Sequence, residues 1–119
     1  MNVFAAALVG IGFASSVSAA DVDAGKHVSL KCAACHTFVA GKNWLAPSLF
    51  GVVGRKSASV EGYTYSEAMK NANKTWDEAT LDVYLTDPKG TVPGTKMMFP
   101  GLPNPEDRAN VIAYLATLK

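Results

Sequence analysis

An apolar face spaced as on a helix marks the segment from Asp21 to Lys31. Asp21 is a suitable N-cap, and the residues along that face are Val22, Gly25, Val28 and Cys32. A glycine inside a helix costs about 1 kcal/mol relative to alanine. We therefore expect a short helix here, with a second helix crossing it closely at Gly25.

A second apolar stripe runs to the end of the chain. It follows Asn104-Pro105-Glu106-Asp107, which combines an Asn N-cap, a proline at the first helical position and an acidic first turn. The stripe consists of Ala109, Val111, Ile112, Leu115 and Leu118. This pattern predicts a C-terminal helix that packs by one face.

Two shorter helices are predicted between these two, each beginning with a Thr-x-x-Glu capping box. They run from Thr64 to about Asn71 and from Thr75 to about Thr86. Asp87-Pro88 ends the second because a residue before proline is disfavoured in the α region. The Gly- and Pro-rich segments 37–63 and 89–103 predict loops without regular structure. The expected fold class is all-α, with about four short helices and essentially no sheet.

The second long loop has an apolar tip, Met97-Met98-Phe99. Apolar residues in an exposed loop indicate that the loop lies against something. Long loops in a domain of this size normally count against an assignment. They become reasonable if they fold over a cofactor.

Composition separates an uncharged N-terminal segment from the rest of the chain. Residues 1–20 are apolar and end in a run of small residues, which predicts a cleaved export signal, with residues 21–119 forming the domain. The segment begins without Lys or Arg, so a retained membrane anchor is the alternative. All eleven Lys and Arg and all ten Asp and Glu lie in 21–119. The resulting charge of +1 is too small for a nucleic-acid binder.

The candidate chemistry centres on Cys32-Ala33-Ala34-Cys35-His36. A C-x-x-C-H run can attach haem when its two thiols add to the porphyrin vinyl groups and the histidine ligates iron. Zinc would need a fourth ligand, and the chain offers only His27 and no third cysteine. In an exported protein the cysteines could instead form a disulfide. Dithiol redox motifs follow a strand, however, and nothing strand-like precedes Cys32.

A haem bound by His36 would have one open axial position. The soft candidate ligands are Met69, Met97 and Met98, with His27 and lysine side chains as harder options. Met69 lies on a predicted helix, where methionine is usually core filler. Thioether ligation raises the reduction potential and leaves no free site, which indicates single-electron transfer. An open sixth site would instead indicate a haem peroxidase or a gas sensor.

Pro93-Gly94-Thr95-Lys96-Met97, together with Cys32–Thr37, resembles the class I c-type cytochromes, a family that includes mitochondrial cytochrome c and bacterial periplasmic counterparts. The resemblance covers nearly all of 21–119. It extends through Pro47–Gly51, Gly54–Lys56, Gly62–Tyr65, Thr75-Trp76 and Ile112–Leu115. It implies a cytochrome c fold around one covalent haem c. It also implies a soluble, monomeric, periplasmic electron carrier between respiratory or photosynthetic membrane complexes, and not an enzyme.

The same resemblance implies roles for single residues. Met97 is the expected iron ligand opposite His36, and Met98 becomes a packing residue or a partner contact. The Pro47 carbonyl is expected to accept from the other imidazole nitrogen, a bond that increases donation to iron. The expected propionate partners are Arg55, Tyr65 and Trp76, and the expected polar groups near the methionine are Asn71, Tyr84 and Thr95.

Basic and atypical positions complete the expectations. Lys31, Lys89 and Lys96 match positions around the exposed haem edge, where they would steer acidic partners. The chain has Ser29 where an aromatic usually packs on the C-terminal helix, so we expect lower stability. Two further departures are Ala46 in place of a glycine, which puts the local backbone geometry in question, and Trp44, either a partner contact or a cover for the haem edge.

Overall fold

The computed structural model describes residues 19–119 and is all-α in that range. Its helices are α1 (Val22–Val28), α2 (Glu67–Lys70), α3 (Glu78–Thr86), α4 (Pro88–Thr91) and α5 (Pro105–Ala116), and a 3-10 turn, Ser29–Lys31, extends α1. Pairing between extended residues in the described range is limited to one isolated bridge, Lys56 with Thr75. The expected fold class is confirmed, with five α-helices rather than about four. The export signal expected over residues 1–20 lies outside the described residues except for its last two.

The helices α1 and α5 cross in close contact at Gly25, as the sequence predicts. Gly25 is buried, and a Cβ placed on it would overlap the backbone carbonyl of Asn110 and lie 3.0 Å from the Cβ of Tyr114. Asp21 caps α1 by accepting from the Ala24 N–H, and its own N–H donates to Asn110 Oδ1 at 2.9 Å. The absence of a side chain at Gly25 is therefore what lets the two backbones meet.

Ser29 is buried at this crossing, with 2% of its surface exposed. Its hydroxyl donates to the Lys26 carbonyl at 2.5 Å, so the polar group is satisfied inside its own helix. An aromatic contact to α5 comes from the following loop, where the Phe38 ring lies edge-on to Tyr114 with centroids 6.1 Å apart. The lower stability expected from Ser29 stays a prediction.

The caps of α2 and α3 differ from the expected ones. Ser66 Oγ accepts from the Met69 N–H, and Asp77 Oδ1 accepts from the Thr80 N–H at 2.7 Å. The helices therefore begin two to three residues later than capping boxes at Thr64 and Thr75 predict. A side chain immediately before the first helical residue reaches the N–H groups of the first turn, and this local geometry overrides the sequence motif.

The segment after α3 is helical where a loop was expected. α3 ends at Thr86 before Asp87-Pro88, as predicted, but Pro88 then occupies the first position of α4 while Asp87 Oδ1 accepts from the Gly90 N–H. A proline that ends one helix is also well suited to begin the next. The prediction of no regular structure is thus wrong for residues 89–91, and no helix or strand lies between α4 and α5.

The C-terminal helix begins where its cap predicts. The Asn104 side chain accepts from the Glu106 N–H at 2.9 Å, and α5 ends at Ala116, short of Leu118. None of the helices in residues 19–119 is both long and apolar enough to span a membrane.

The core is built around a cavity rather than filled solid. Its buried hydrophobic residues are Val52, Trp76, Leu81, Tyr84, Val92, Leu102, Val111, Ile112 and Leu115. All of these except Val92 and Ile112 also line one large cavity. The packing that holds α3, α5 and the loops together therefore has the cavity as its centre.

Candidate functional site

The cavity has a volume of about 820 Å³, which lies in the upper part of the range of small-molecule and cofactor sites. Apolar side chains form most of its wall. Besides the core residues, they include Leu45, Leu49, Met69, Leu85 and Phe99. Cys32, Cys35, His36 and Met97 all reach the same cavity. A large apolar space with these groups on its wall fits a flat, mostly apolar macrocycle attached through thiols.

The two cysteines are presented by a turn that continues α1. The N–H of Cys35 and the N–H of His36 both donate to the Cys32 carbonyl, at 3.1 and 2.9 Å. Both thiols are free, and burial raises the pKa of the Cys32 thiol, with Cys35 adding to the rise and Lys31 opposing it. Dithiol redox motifs depend instead on a lowered thiol pKa. The helical context and the direction of the shift both disfavour that alternative.

One hydrogen bond, made through Nδ1, holds the His36 ring. Nδ1 lies 2.7 Å from the Pro47 carbonyl oxygen, which can only accept, so Nδ1 carries the proton and Nε2 is left as the ligating nitrogen. Burial lowers the pKa of His36, the bond to Pro47 opposes this, and Arg55 lowers it further. The imidazole is therefore held neutral, which is the form that binds a metal.

The methionine side of the cavity carries a small polar cluster. Tyr84 Oη lies 3.0 Å from Thr95 Oγ1 and 4.0 Å from Met97 Sδ. The Met97 N–H donates to Thr95 Oγ1 at 3.3 Å, so the threonine hydroxyl connects to both the loop backbone and the tyrosine. Met98 also borders the cavity but is 82% exposed, whereas Met69 packs against the core. Among the three methionines, Met97 is the one with this polar cluster at its sulfur.

Arg55, Tyr65 and Trp76 meet on another part of the cavity wall. Reciprocal backbone bonding holds segment 54–55 to Trp76, whose N–H donates to the Arg55 carbonyl at 2.8 Å. Arg55 Nη1 donates to the carbonyls of Ser48 and Phe50, at 3.0 and 3.2 Å. Burial lowers the pKa of the guanidinium, and no carboxylate in residues 19–119 lies within 4.0 Å of it. A half-buried cation without an anionic partner suits a haem propionate.

The remaining residues expected at the site divide between the cavity wall and the exposed surface. Asn71 is exposed at the C-terminal end of α2 rather than on the cavity wall. Lys31 and Lys96 border the cavity, whereas Lys89 lies exposed on α4. Trp44 is 59% exposed, and it is Leu45 that lines the cavity beside it. Ala46 is not among the residues with positive φ, so its position does not require glycine.

The structure adds one residue that the sequence does not single out, Asn43. Its side chain accepts from the Ser48 N–H at 3.0 Å and donates to the Glu61 carbonyl at 2.9 Å. Asparagine in a loop usually bonds to backbone a few residues away. No local pattern indicates a partner eighteen residues along the chain.

The zinc alternative finds no support in the geometry. Across residues 19–119 no three His, Cys, Asp or Glu side chains come together in a way that could hold a metal ion.

A family model described as Cytochrome c matches residues 22–119. The chain belongs to the cytochrome c family.

Individual cytochromes show how far the likeness extends. The cytochrome c2 of Rhodoblastus acidophilus is 57% identical over 102 residues, covering 85% of this chain and 95% of that protein. The cytochrome c2 of Rhodomicrobium vannielii is 49% identical over 121 residues, covering 98% and 97%. The solved structure of cytochrome cH from Methylobacterium extorquens superposes with a TM-score of 0.78 at 47% identity, covering 82% of this chain and 98% of that one.

Membership of the cytochrome c family establishes the cofactor and the class of activity. The cofactor is one haem c, bound covalently through Cys32 and Cys35, and the protein is an electron carrier of the cytochrome c2 type rather than an enzyme. The expectations for fold, cofactor and class of activity are confirmed.

Proposed function

We propose that this cytochrome carries single electrons on a haem c whose iron is ligated by His36 and Met97, in the periplasm, between membrane complexes of respiration or photosynthesis. The bound haem supplies one-electron exchange between ferric and ferrous iron. The observation that carries the proposal is the pair of supports on the cavity wall. The Pro47 carbonyl oxygen lies 2.7 Å from His36 Nδ1, and Tyr84 Oη lies 4.0 Å from the sulfur of Met97 and 3.0 Å from Thr95 Oγ1.

Each axial residue is prepared for its role by its neighbours. The Pro47 carbonyl fixes the His36 tautomer and increases the electron density on Nε2. On the other side, burial raises the pKa of Tyr84, so its hydroxyl stays protonated and able to donate, although Thr95 opposes the shift. A neutral imidazole and a thioether held by fixed groups leave little to rearrange when iron changes its charge.

The remaining wall residues would bind the two ends of the macrocycle. Arg55, Tyr65 and Trp76 are the proposed partners of the propionates, with Arg55 as the balancing cation. Leu81, Leu85 and Phe99 would exclude water from the porphyrin face. Exclusion of water raises the energetic cost of charge at the iron and so favours the ferrous state.

The partners we propose are acidic faces of electron donors and acceptors. Lys31 and Lys96 border the cavity, and Lys89 lies exposed on α4. Local positive potential of this kind speeds encounter even when the net charge is only +1. Trp44, which is exposed and precedes the cavity-lining Leu45, is a further proposed contact for these partners.

We propose that residues 1–20 direct export and are removed, that 21–119 form the domain, and that the carrier is monomeric.

The ferric holoprotein tests the proposed ligation directly. A weak far-red sulfur-to-iron charge-transfer band at neutral pH is expected in the wild type, and Met97→Ala should abolish it. Met98→Ala is the matched control, because the neighbouring methionine borders the same cavity but is 82% exposed. A band that survives Met97→Ala, or a wild-type spectrum typical of an open sixth site, would contradict the proposal and favour a peroxidase or gas sensor.

Intact mass of protein from cells with a haem-maturation system tests export and attachment together. The expected mass is that of residues 21–119 plus one haem. A haem-bearing chain that retains residues 1–20 would indicate a membrane anchor instead.

A further inference from the structure

The peptide unit between Pro47 and Ser48 is hydrogen-bonded at both of its polar ends. Its carbonyl oxygen lies 2.7 Å from His36 Nδ1, and its N–H donates to Asn43 Oδ1 at 3.0 Å. A trans peptide is planar, with its carbonyl and N–H pointing in opposite directions. His36 and Asn43 therefore lie at the two ends of one conjugated, polarisable group.

A second hydrogen bond fixes the orientation of the Asn43 side chain. Its Nδ2 donates to the Glu61 carbonyl at 2.9 Å, so the side-chain amide joins two parts of segment 37–63 that lie eighteen residues apart. Only a group with both a donor and an acceptor can make these two bonds at once. The amide is thus held with its oxygen directed at the Ser48 N–H.

The surroundings of Ser48 offer its N–H little choice of another hydrogen-bond acceptor. The residue is 3% exposed, and its hydroxyl is already engaged with the Val39 carbonyl at 2.6 Å. A buried N–H that loses its acceptor is costly. Asn43 is therefore the acceptor on which this peptide depends.

The loop has other attachments that do not involve Asn43. The Leu49 N–H donates to the Thr37 carbonyl at 2.9 Å, and the Ala46 N–H donates to the Cys35 carbonyl at 3.1 Å. These bonds hold the loop against the C-x-x-C-H turn on both sides of Pro47. The contribution of Asn43 is concentrated on the one peptide that contacts His36.

We propose that Asn43 is a positioning residue for the axial histidine, and that it tunes the iron through the Pro47–Ser48 peptide; this rests on the proposed ligation by His36. In a chain of hydrogen bonds each bond strengthens the next by about 10–30%. A more strongly accepting Pro47 carbonyl gives the imidazole more anionic character and makes it a better ligand. Ferric iron gains more from that than ferrous iron, so Asn43 lowers the reduction potential.

Two variants with opposite expected effects test the proposal in the holoprotein. Asn43→Ala removes the acceptor, and we expect the potential to rise, with the ferrous-to-ferric ratio at a fixed potential increasing about twofold. The His36 ring N–H resonance of the ferrous protein should move to lower chemical shift as its hydrogen bond weakens. Asn43→Asp keeps an acceptor for the Ser48 N–H, and we expect its potential at or below that of the wild type, with the ring resonance at or above its wild-type shift.

Thr37→Val is the matched control. The Thr37 hydroxyl donates to the Lys42 carbonyl in the same loop but does not contact the Pro47–Ser48 peptide. Thr37→Val should leave both the reduction potential and the chemical shift of the His36 ring N–H unchanged. A purely structural role for Asn43 would move Asn43→Ala and Asn43→Asp in the same direction, and a shift in Thr37→Val as large as that in Asn43→Ala would assign the effect to general loosening of the loop; either result would overturn the proposal.

The possible outcomes separate this inference from the proposed function. If the wild type shows the sulfur band and a His36 ring resonance but Asn43→Ala matches the wild type in both readouts, the inference fails and the ligation stands. If Asn43→Ala yields no holoprotein, Asn43→Asp alone decides, since a raised potential in that variant also overturns the inference. A wild type without these signatures refutes the ligation itself.

Discussion

The Nζ of Lys96 donates to the carbonyl oxygen of Thr64 at 2.6 Å, across 32 residues of chain. The same ammonium group lies 5.7 Å from the centroid of the Tyr63 ring. Lys96 directly precedes Met97, and Tyr63 and Thr64 also line the cavity. The lysine therefore fastens the loop that carries the proposed ligand to a second loop, in addition to its expected role in partner binding.

Lys96→Ala should make the methionine loop easier to open. Losing this exposed hydrogen bond, worth about 1 kcal/mol, corresponds to about fivefold tighter binding of imidazole to the ferric protein, because imidazole must displace the proposed ligand Met97. The measurement is an imidazole titration followed by absorbance. Lys89→Ala is the control and should bind imidazole as the wild type does. Equal affinity in Lys96→Ala and Lys89→Ala would rule out the fastening role.

Small charged redox reagents test the lysines proposed for partner encounter. Lys31→Glu should slow reaction with ferricyanide, an anion, and speed reaction with a cationic cobalt(III) complex, and both effects should shrink as salt is added. Stopped-flow rates over a range of ionic strength measure this. Lys119→Glu, which makes the same charge change at a residue that does not line the cavity, should have a smaller effect. Equal effects from the two variants would mean that net charge alone governs encounter.

Gly25→Ala should strongly destabilise the holoprotein. The added methyl group would overlap the Asn110 backbone, which cannot turn aside as a side chain can, and we expect a loss of about 3 kcal/mol in the free energy of unfolding. Denaturant unfolding of the ferric protein measures it. Lys26→Ala, an exposed change in the same helix, should stay within about 0.5 kcal/mol. A similar small loss in Gly25→Ala would contradict the close crossing of α1 and α5.

Asp77 should make stability depend on acid pH. Its hydrogen bonds to the Thr80 side chain and backbone hold the pKa of the carboxyl below 3.8, its ordinary value. The stabilisation is complete above pH 3.8 and is lost as pH falls through the lower folded-state pKa. Asn caps a helix about as well but does not titrate. Thermal melts should therefore show wild type losing stability relative to Asp77→Asn at acid pH, whereas a constant difference would exclude the effect.

The protein without haem should be largely unfolded. Seven of the nine buried core residues line the cavity, so they have little to pack on when it is empty. Circular dichroism of the double variant Cys32→Ala, Cys35→Ala is expected to show little helix and no sharp transition. A cooperative thermal melt in this variant would show that the polypeptide alone supplies a sufficient core.

The parts of the fold that the sequence predicts well are those with signals confined to neighbouring residues. The crossing at Gly25 and the start of α5 at Pro105 follow from periodicity and caps within a few positions. The starts of α2 and α3 were misplaced because Ser66 and Asp77 compete with the capping-box threonines. α4 was missed because a proline after a helix also permits a new one.

The site residues likewise divide into those indicated by neighbouring residues and those that depend on the folded structure. Cys32, Cys35 and His36 form one local motif whose spacing predicts haem attachment, with zinc and a disulfide as the alternatives that the rest of the sequence disfavours. The helical position of Met69 disfavours it as a ligand, but Met97 could be favoured over Met98 only through the family resemblance, because ligation depends on which residues meet across the cavity. Asn43 could not be found at all, since its contacts to Ser48 and Glu61 exist only once segment 37–63 has folded.

The contact between Asp21 and Asn110 also has a consequence for biosynthesis. Its two residues are 89 positions apart, and within the described residues α5 is the helix that α1 contacts most extensively. A nascent chain therefore lacks its main helix pair until synthesis has passed Asn110, and non-local closure of this kind is slow. In the export that we propose for this chain, the delay would keep the polypeptide open during translocation and its two thiols accessible for haem attachment.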